Sequence, residues 1–466
     1  MGDFKRARQR AKEIRKGVPP EQSEILSQTE KDTQETYPRR EAIINDMRRG
    51  VRRTRVINAK KALKRNKKKK QGLVAMKDGL LPPSHGSELE LGDEFLDLAD
   101  AGLAPAQKPA RPLRTDVYVS TDRHTKELSA ISTRPTAAAH SGEVAEPGDF
   151  VTVEVAGIPL IVTRGQDNNV HAMHNICAHR GATVETRDAG SERVLSCPFH
   201  GWSYHLDGEL RAVSDASAFS STPCTREGLT PVHCEERHGI IWVTADHAAA
   251  PIKVGDWLGD KLDNLLTSLK LESMVLHAAT IIDVNANWKL LTDGFLELYH
   301  FKYLHRNTVA SYLAANMSRP LRFGEHLGNA IPKEGLLKDL ADESREEWRV
   351  YDGTVIPVVL LPGTVINWDA GHLEVFSLRP NPKHPGQTLV RLWLAVPAEH
   401  ADQTDLWNRT FASVLEVINE DFAAAEHVQR NIEVGVTEEL LIGANEELLI
   451  EHMASVDQLV ANHGSL

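Results

Sequence analysis

The spacing of apolar residues changes twice along this chain, and each change predicts a new kind of element. Residues 1–71 hold too few apolar positions to close a core, and beyond a transient helix around Phe4 to Lys16 no element is predicted there. From about Glu146 the pattern becomes short alternating or apolar runs: Phe150 to Val155, Ile158 to Val162, Val170 to Met173, Val194 to Ser196, Tyr204 to Leu210 and Ile240 to Val243. Pro147-Gly148-Asp149 marks a turn, and Asp207-Gly208 is a strong hairpin pair. Short strands with close turns predict a small all-β domain over residues 147–246.

The pattern then lengthens. Leu265 to Leu271, Trp288 to Tyr303, Trp407 to Asn431 and Glu446 to Val460 read as helices. Val358 to Trp368, His372 to Leu378 and Thr388 to Val396 read as antiparallel strands, with turns at Pro362-Gly363 and Pro385-Gly386. The fold class expected is α+β, with helices packed on one face of an antiparallel sheet over residues 247–466. Residues 113–146 would be a lead-in segment packing on that second domain, and residues 1–112 an extension of low order. There are no internal repeats.

Charge sharpens the division. The 466 residues carry a formal net charge of −11, yet residues 1–71 hold 23 Lys/Arg against 9 Asp/Glu, which is +14 and leaves −25 for the remainder. The run from Ala59 to Lys70 is strongly basic, and an acidic stretch from Glu88 to Asp100 follows, with a Pro/Ala linker from Leu103 to Pro112. A solvated tail is the plainer reading of the extension; a docking arm for nucleic acid, an anionic membrane or an acidic redox partner is the sharper one. The acidic body argues against nucleic acid as the main partner. The lack of an 18-residue apolar run argues against a transmembrane helix, and the N-terminus carries no apolar signal region. Four Cys make no disulfide framework, so a reducing, cytoplasmic setting is expected, with Cys234 a small buried residue in a strand.

The candidate chemistry begins at Cys177-Ala178-His179, followed after seventeen residues by Cys197-Pro198-Phe199-His200. Two Cys and two His in matched pairs suit a [2Fe–2S] cluster whose irons are held by thiolates on one side and imidazoles on the other. Zinc is the rival, but a Cys2His2 finger would place both Cys on one hairpin and both His on a helix. Here each loop carries one of each, in strand-like surroundings. Gly181 and Gly201 follow the two pairs and let the backbone turn inward.

A second constellation lies in Asn287 to His305, which contains Glu297, His300 and His305. Two His with a distant carboxylate would make the facial triad of a non-haem Fe(II) oxygenase, which leaves positions open for O2. On a regular helix the two His would stand ~140° apart, so both reach one metal only if the helix ends or bulges between them. Glu297, three residues before His300, would share its face. The plainer reading is a packed or exposed helical His.

The first constellation resembles the Rieske iron–sulfur motif at all four ligand positions, Cys177, His179, Cys197 and His200. With the second, the chain over residues 114–466 resembles the α (large, catalytic) subunit of the Rieske non-haem iron ring-hydroxylating oxygenases. The resemblance implies a late-helix carboxylate as third iron ligand. Asp421 in Asn419-Glu420-Asp421-Phe422 is the candidate, with Glu420 the runner-up. It further implies a mononuclear Fe(II) held by His300, His305 and Asp421, O2 as co-substrate, and electrons from NAD(P)H through a separate reductase, with or without a ferredoxin. It implies a homotrimer, with or without a β-subunit, in which Glu297 bridges His300 and the neighbouring subunit's cluster ligand equivalent to His200. The activity implied is hydroxylation or dihydroxylation of a small aromatic molecule. Oxidative demethylation or amine oxidation is the first alternative, and a Rieske electron carrier without oxygenase chemistry the second. Asp293-Gly294 departs from the Glu-Asn common in the family, which puts the local helix geometry in question. The substrate pocket would be walled by the helix after His305 and by the sheet, including Ile366 to Phe376, with Val365, Ile366, Trp368 and Phe376 as apolar candidates that suit a plain core equally well, core being the plainer reading for most of them.

Overall fold

A computed structural model describes residues 87–101, 109–219, 228–314, 317–369 and 371–463. The basic run, most of the linker and Cys224 lie outside these residues, as do residues 1–86 of the extension expected over 1–112.

The first sheet has seven strands: β1 (Thr136–His140), β2 (Asp149–Val155), β3 (Ile158–Arg164), β4 (Val170–His174), β5 (Ala189–Ser191), β6 (Pro231–Arg237) and β7 (Ile240–Thr244). Their spatial order is β1-β7-β6-β4-β3-β2-β5, with every neighbouring pair antiparallel. The sheet thus starts before the turn at residue 147, since β1, expected in the lead-in segment, is its edge strand. Alternation in β2 and β3 buries Val151, Val153, Leu160 and Val162 on one side. Phe150 and Ile161 face the other side, towards a small sheet of Leu195–Ser196, Ser203–Tyr204 and Leu210–Ala212. Cys234 lies in β6, half-buried, and its thiol donates to Val170 O at 3.4 Å.

The second sheet is also seven-stranded and antiparallel: β8 (Met274–Val284), β9 (Arg319–Phe323), β10 (His326–Pro332), β11 (Thr354–Leu360), β12 (Thr364–Asp369), β13 (His372–Pro380) and β14 (Thr388–Pro397). Their order is β8-β14-β13-β12-β11-β10-β9. Both expected turns are present, Pro362-Gly363 between β11 and β12 and Pro385-Gly386 between β13 and β14. Strands β8, β9 and β10 were not legible, because their exposed or fully buried runs lack clean alternation.

Six helices matter for the site: α1 (Ser87–Ala101), α2 (Thr121–Ser132), α3 (Trp288–Leu296), α4 (Phe301–Leu304), α5 (Thr404–Glu433) and α6 (Glu447–His463). One face of the second sheet, with Val359, Val365, Phe376 and Leu392, packs against α3, α5 and α6. The opposite face, with Ile356, Ile366, Trp368, Leu373 and Val375, is covered by α1, the Val254–Leu258 and Asp260–Ser268 helices, and Trp242 of the first sheet. The acidic stretch read as part of a low-order tail is therefore a packed helix. Leu91 and Phe95, four residues apart, share its buried face. Glu143, beside β1, accepts from Trp393 Nε1 at 2.6 Å, and Arg379 donates to Ala138 O at 2.9 Å, which ties the two sheets together.

Candidate metal centres

The two cluster loops are copies of one turn. In the first, Gly181 N donates to Cys177 O at 3.0 Å and Cys177 N to Ala182 O at 2.8 Å. In the second, Gly201 N donates to Cys197 O at 3.0 Å and Cys197 N to Trp202 O at 2.8 Å. Both glycines adopt positive φ, +74° and +71°, which glycine adopts without the steric cost of a Cβ. The turn aims the two Cys inward, where both are buried, and brings the His179 and His200 rings to 4.7 Å between centroids. His179 stacks on Trp202 at 4.9 Å and 7° between planes. Tyr204 Oη lies 3.0 Å from Cys177 Sγ and accepts from Ala178 N at 3.1 Å. Burial, then the neighbouring Cys177, pushes the Cys197 thiol up. Thiolates there would have to be stabilised by a cation, and Nδ1 of His179 is buried without a hydrogen bond. The donor set fits a group bound between the loops.

The second centre is assembled from distant elements. Asn287 caps α3, accepting from Lys289 N at 3.0 Å. Below it, Lys289 Nζ pairs with Glu127 of α2 at 2.6 Å, both side chains only 1% exposed, and Trp288 Nε1 donates to the same carboxylate at 3.1 Å. Asp293, also on α3, accepts from Tyr118 Oη at 2.7 Å, and burial lifts its carboxyl to about 7. Helix α3 ends at Glu297, which is extended (φ −122°, ψ 151°), so the expected continuous helix from Trp288 to Tyr303 is broken. Glu297 Oε2 accepts from Tyr299 N at 2.6 Å and His300 N at 3.2 Å, much as a capping side chain opens a helix. Its Oε1 bonds His300 Nδ1. The contact with His300 therefore comes from capping, where a shared helix face was expected.

One turn, α4, then separates the two His and stops at His305. That interruption lets both rings converge: His300, His305 and Asp421 each present a donor atom, and these lie within 4.8 Å of one another. Asp421 Oδ1 is 3.4 Å from His300 Nε2 and 2.9 Å from His305 Nε2. Glu420, the runner-up, faces the other ring nitrogen: its Oε2 is 2.8 Å from His305 Nδ1 and accepts from Thr308 Oγ1 at 3.0 Å. His305 Nε2 is buried and makes no hydrogen bond, despite its proximity to Asp421. A buried, unpartnered nitrogen of His305, the Nε2 of His300 and a carboxylate oxygen converging on one point fit a cation there. Burial lowers the His300 pKa, but Asp421 and Glu297 outweigh it and raise it to about 9. Burial acts to raise Asp421, and the two His hold it below the usual carboxylate range.

A cavity of about 640 Å³ adjoins His305 and Asp421, lying between α3, α4, α5 and the sheet. Of the four wall candidates only Phe376 lines it. Ile366 and Trp368 turn to the opposite face of the sheet, and Val365 is buried against the helices. The period-2 alternation of a strand explains Ile366 and Trp368, whereas Val365 shares the face of Phe376 and is simply covered by the helices. Besides Phe376, the residues that face the cavity from β12 and β13 are Asn367, Asp369, His372 and Glu374; they lie in the expected segment from Ile366 to Phe376, but the sequence reading singled out only its apolar residues. Alternation read within each strand separately sets Asn367 and Asp369 opposite Ile366 and Trp368, and His372 and Glu374 opposite Leu373 and Val375; read straight through the turn it fails, because the parity flips between Asp369 and His372.

Two family models match the chain: the Rieske [2Fe-2S] domain over residues 134–224, and the ring hydroxylating α subunit (catalytic domain) over residues 271–462. Together they span more than half of it, in the order the two centres occupy. The chain belongs to the Rieske ring-hydroxylating oxygenase α-subunit family. Among curated members of that family, the oxygenase subunit of carnitine monooxygenase from Acinetobacter pittii is 29% identical over 163 residues, which is 35% of this chain and 43% of the relative. The large subunit of anthranilate 1,2-dioxygenase from Acinetobacter baylyi is 33% identical over 179 residues, 37% of this chain and 38% of the relative. The matched segments thus span less than half the length of these relatives. Among solved Rieske oxygenases, a quaternary ammonium Rieske monooxygenase superposes with a TM-score of 0.63 at 22% identity, covering 75% of this chain and 95% of that one. Naphthalene 1,2-dioxygenase from Rhodococcus sp. superposes at 0.62 and 18% identity, covering 81% and 99%. At these identities the likeness is one of fold. No helix among the described residues is long and apolar enough to cross a membrane.

Proposed function

We propose that this chain is the terminal oxygenase of a multicomponent system, using O2 and electrons from a separate NAD(P)H-fed reductase to oxidise a small organic molecule. The observation that carries the reading is the convergence of His300, His305 and Asp421 beside a cavity, in a chain that also holds the paired Cys/His loops. In this reading Cys177, His179, Cys197 and His200 hold the [2Fe–2S] cluster, and His300, His305 and Asp421 hold the mononuclear iron. When bound, the iron would supply the O2 chemistry and the cluster the electron that this iron does not readily give.

The chain's own residues do the rest. Glu420 accepts from His305 Nδ1–H and Glu297 from His300 Nδ1–H, which fixes the tautomers and leaves the Nε2 lone pairs facing inward. Glu420 is thereby an orienting residue and Asp421 the ligand. Glu297 also serves as the bridge to a neighbouring subunit's cluster in a trimer. Supporting that contact, Phe199 beside the cluster is 55% exposed, and Tyr299 and Tyr303 around the His300 turn are 59% and 64% exposed. A ferredoxin or β-subunit, and a cytoplasmic setting, complete the proposal. The sequence reading sets the cluster domain at 147–246 and the catalytic domain at 247–466; with β1 as the edge strand of its sheet, the cluster domain is taken here to begin at Thr136.

A second reading, monooxygenation with demethylation or amine oxidation, is favoured by the relatives that are carnitine and glycine betaine monooxygenases and by the polar cavity floor. The test is reoxidation. Full chain loaded with Fe(II), reduced anaerobically and mixed with O2, is expected to reoxidise its cluster at least tenfold faster than the Asp421→Ala variant. Equal rates would reduce the chain to an electron carrier.

A further inference from the structure

The sheet register sets the chemistry of the cavity floor. On β12 and β13, Asn367 pairs with Glu374 and Asp369 with His372, so the four stand as two cross-strand rows on one face. Asn367 Nδ2 donates to Glu374 Oε2 across one row at 3.0 Å, and His372 Nε2 of the other row lies 3.0 Å from Glu374 Oε1 along β13. Lys333 Nζ pairs with Asp369 Oδ1 at 2.6 Å. His372 and Glu374 are 8% and 7% exposed, so these charges are set into the protein and are not a solvated rim.

The floor is unbalanced. Both acids are paired, yet acceptor capacity remains on each carboxylate, because a carboxylate accepts about four hydrogen bonds. Asn367 Oδ1 is buried with no partner at all. A buried acceptor left without a hydrogen bond is destabilising, and a substrate that supplies a donor removes that cost. A hydrocarbon would instead desolvate the floor and leave it unpaired. Sites of this kind reject analogues lacking the donor far more strongly than apolar pockets reject a misplaced methylene.

Building on the oxygenase reading of this cavity, we infer that Asn367 and Glu374 are specificity-determining residues. They select a small substrate that presents an N–H or O–H donor to the floor, placing the rest of the molecule towards His305 and Asp421. A protonated amine and a neutral alcohol or amide share that chemistry.

Four molecules of similar size separate the cases: toluene, benzyl alcohol, benzylamine and benzyltrimethylammonium. Their binding to the iron-loaded full chain is measured by ligand-observed NMR and calorimetry. Benzyl alcohol and benzylamine are expected to bind at least tenfold tighter than both toluene and the donor-free cation. A near-isosteric Asn367→Leu variant is expected to erase most of that preference. Glu374→Gln should weaken benzylamine more than benzyl alcohol if the amine is the better ligand. Toluene binding as tightly as the donors would overturn the inference, as would benzyltrimethylammonium binding tightest, which would make charge the selected property. The iron count, taken on the same sample, keeps the two claims apart. A missing third iron defeats the oxygenase reading, whereas full iron with no donor preference defeats this inference alone.

Discussion

The two candidate metal centres are built in opposite ways. The cluster loops are local: each is one backbone turn that ends in glycine, and the same pair of hydrogen bonds closes both. The second centre joins a broken helix to the middle of α5, and its ligand atoms meet only because the sheet and helices hold those elements together. A local site should therefore fail by losing its own ligands, and an assembled site by losing its scaffold or its orienting partners.

The largest effect expected is at the local site. Cys197→Ser should remove the cluster and leave the buried space around Tyr204 and Trp202 without its fill, while the third iron stays. Iron analysis with EPR of the reduced protein checks this. At the assembled site the scaffold should matter more. Glu127→Gln strands the buried Lys289 and should cost about 3–5 kcal/mol in urea unfolding, with the cluster signal unchanged in the folded fraction.

Acid should also act through the scaffold. His326 Nε2 donates to Trp257 O at 3.0 Å while Nδ1 accepts from Leu361 N at 3.2 Å, which requires the neutral ring, and burial lowers its pKa to about 4. A folded pKa below the unfolded value means that the unfolded chain binds more protons. The stability His326 contributes is then present above about pH 6.5 and is lost as pH falls towards 4. Asp293, raised to about 7, works in the other direction over part of that range. The readout is therefore a difference: between pH 7 and 5, His326→Gln should lose about 2 kcal/mol less stability than the wild type.

Orientation comes next. Glu420→Gln should keep the fold and weaken Fe(II) binding about 10–100-fold, an effect that has no counterpart in the cluster loops. Gly294 gives the smallest effect. It lines the cavity within α3, and a Cβ there would meet nothing within 4 Å. Gly294→Ala should raise stability by about 1 kcal/mol and alter KM more than iron content.

The same contrast explains what was legible in the sequence. Cys177, His179, Cys197 and His200 stand in one short stretch with their glycines, so spacing alone exposed them. His300 and His305 were visible, but the break at Glu297 was not, because the interruption comes from that residue's side chain taking backbone N–H groups from the following turn. Asp421 could be chosen over Glu420 only by resemblance. Adjacent carboxylates point to different sides of a helix, and only the packing of α5 decides which side meets the two His. The first sheet, with its alternating strands and turn residues, was largely readable. Strands β8 to β10 were not, since their burial patterns lack clean alternation, and neither was the packing of α1, whose partners such as Trp348 and Val350 lie far along the chain. The cavity floor was hidden by the habit of reading apolar residues as pocket walls.

If two separable iron centres share this chain, an iron count will show it. Anaerobic metal analysis with EPR of the dithionite-reduced protein should give a Rieske-type signal and about three irons per chain, falling to about two in His300→Ala with the signal retained. Two irons in the wild type that added Fe(II) cannot raise to three, or zinc with no EPR signal, would contradict the account.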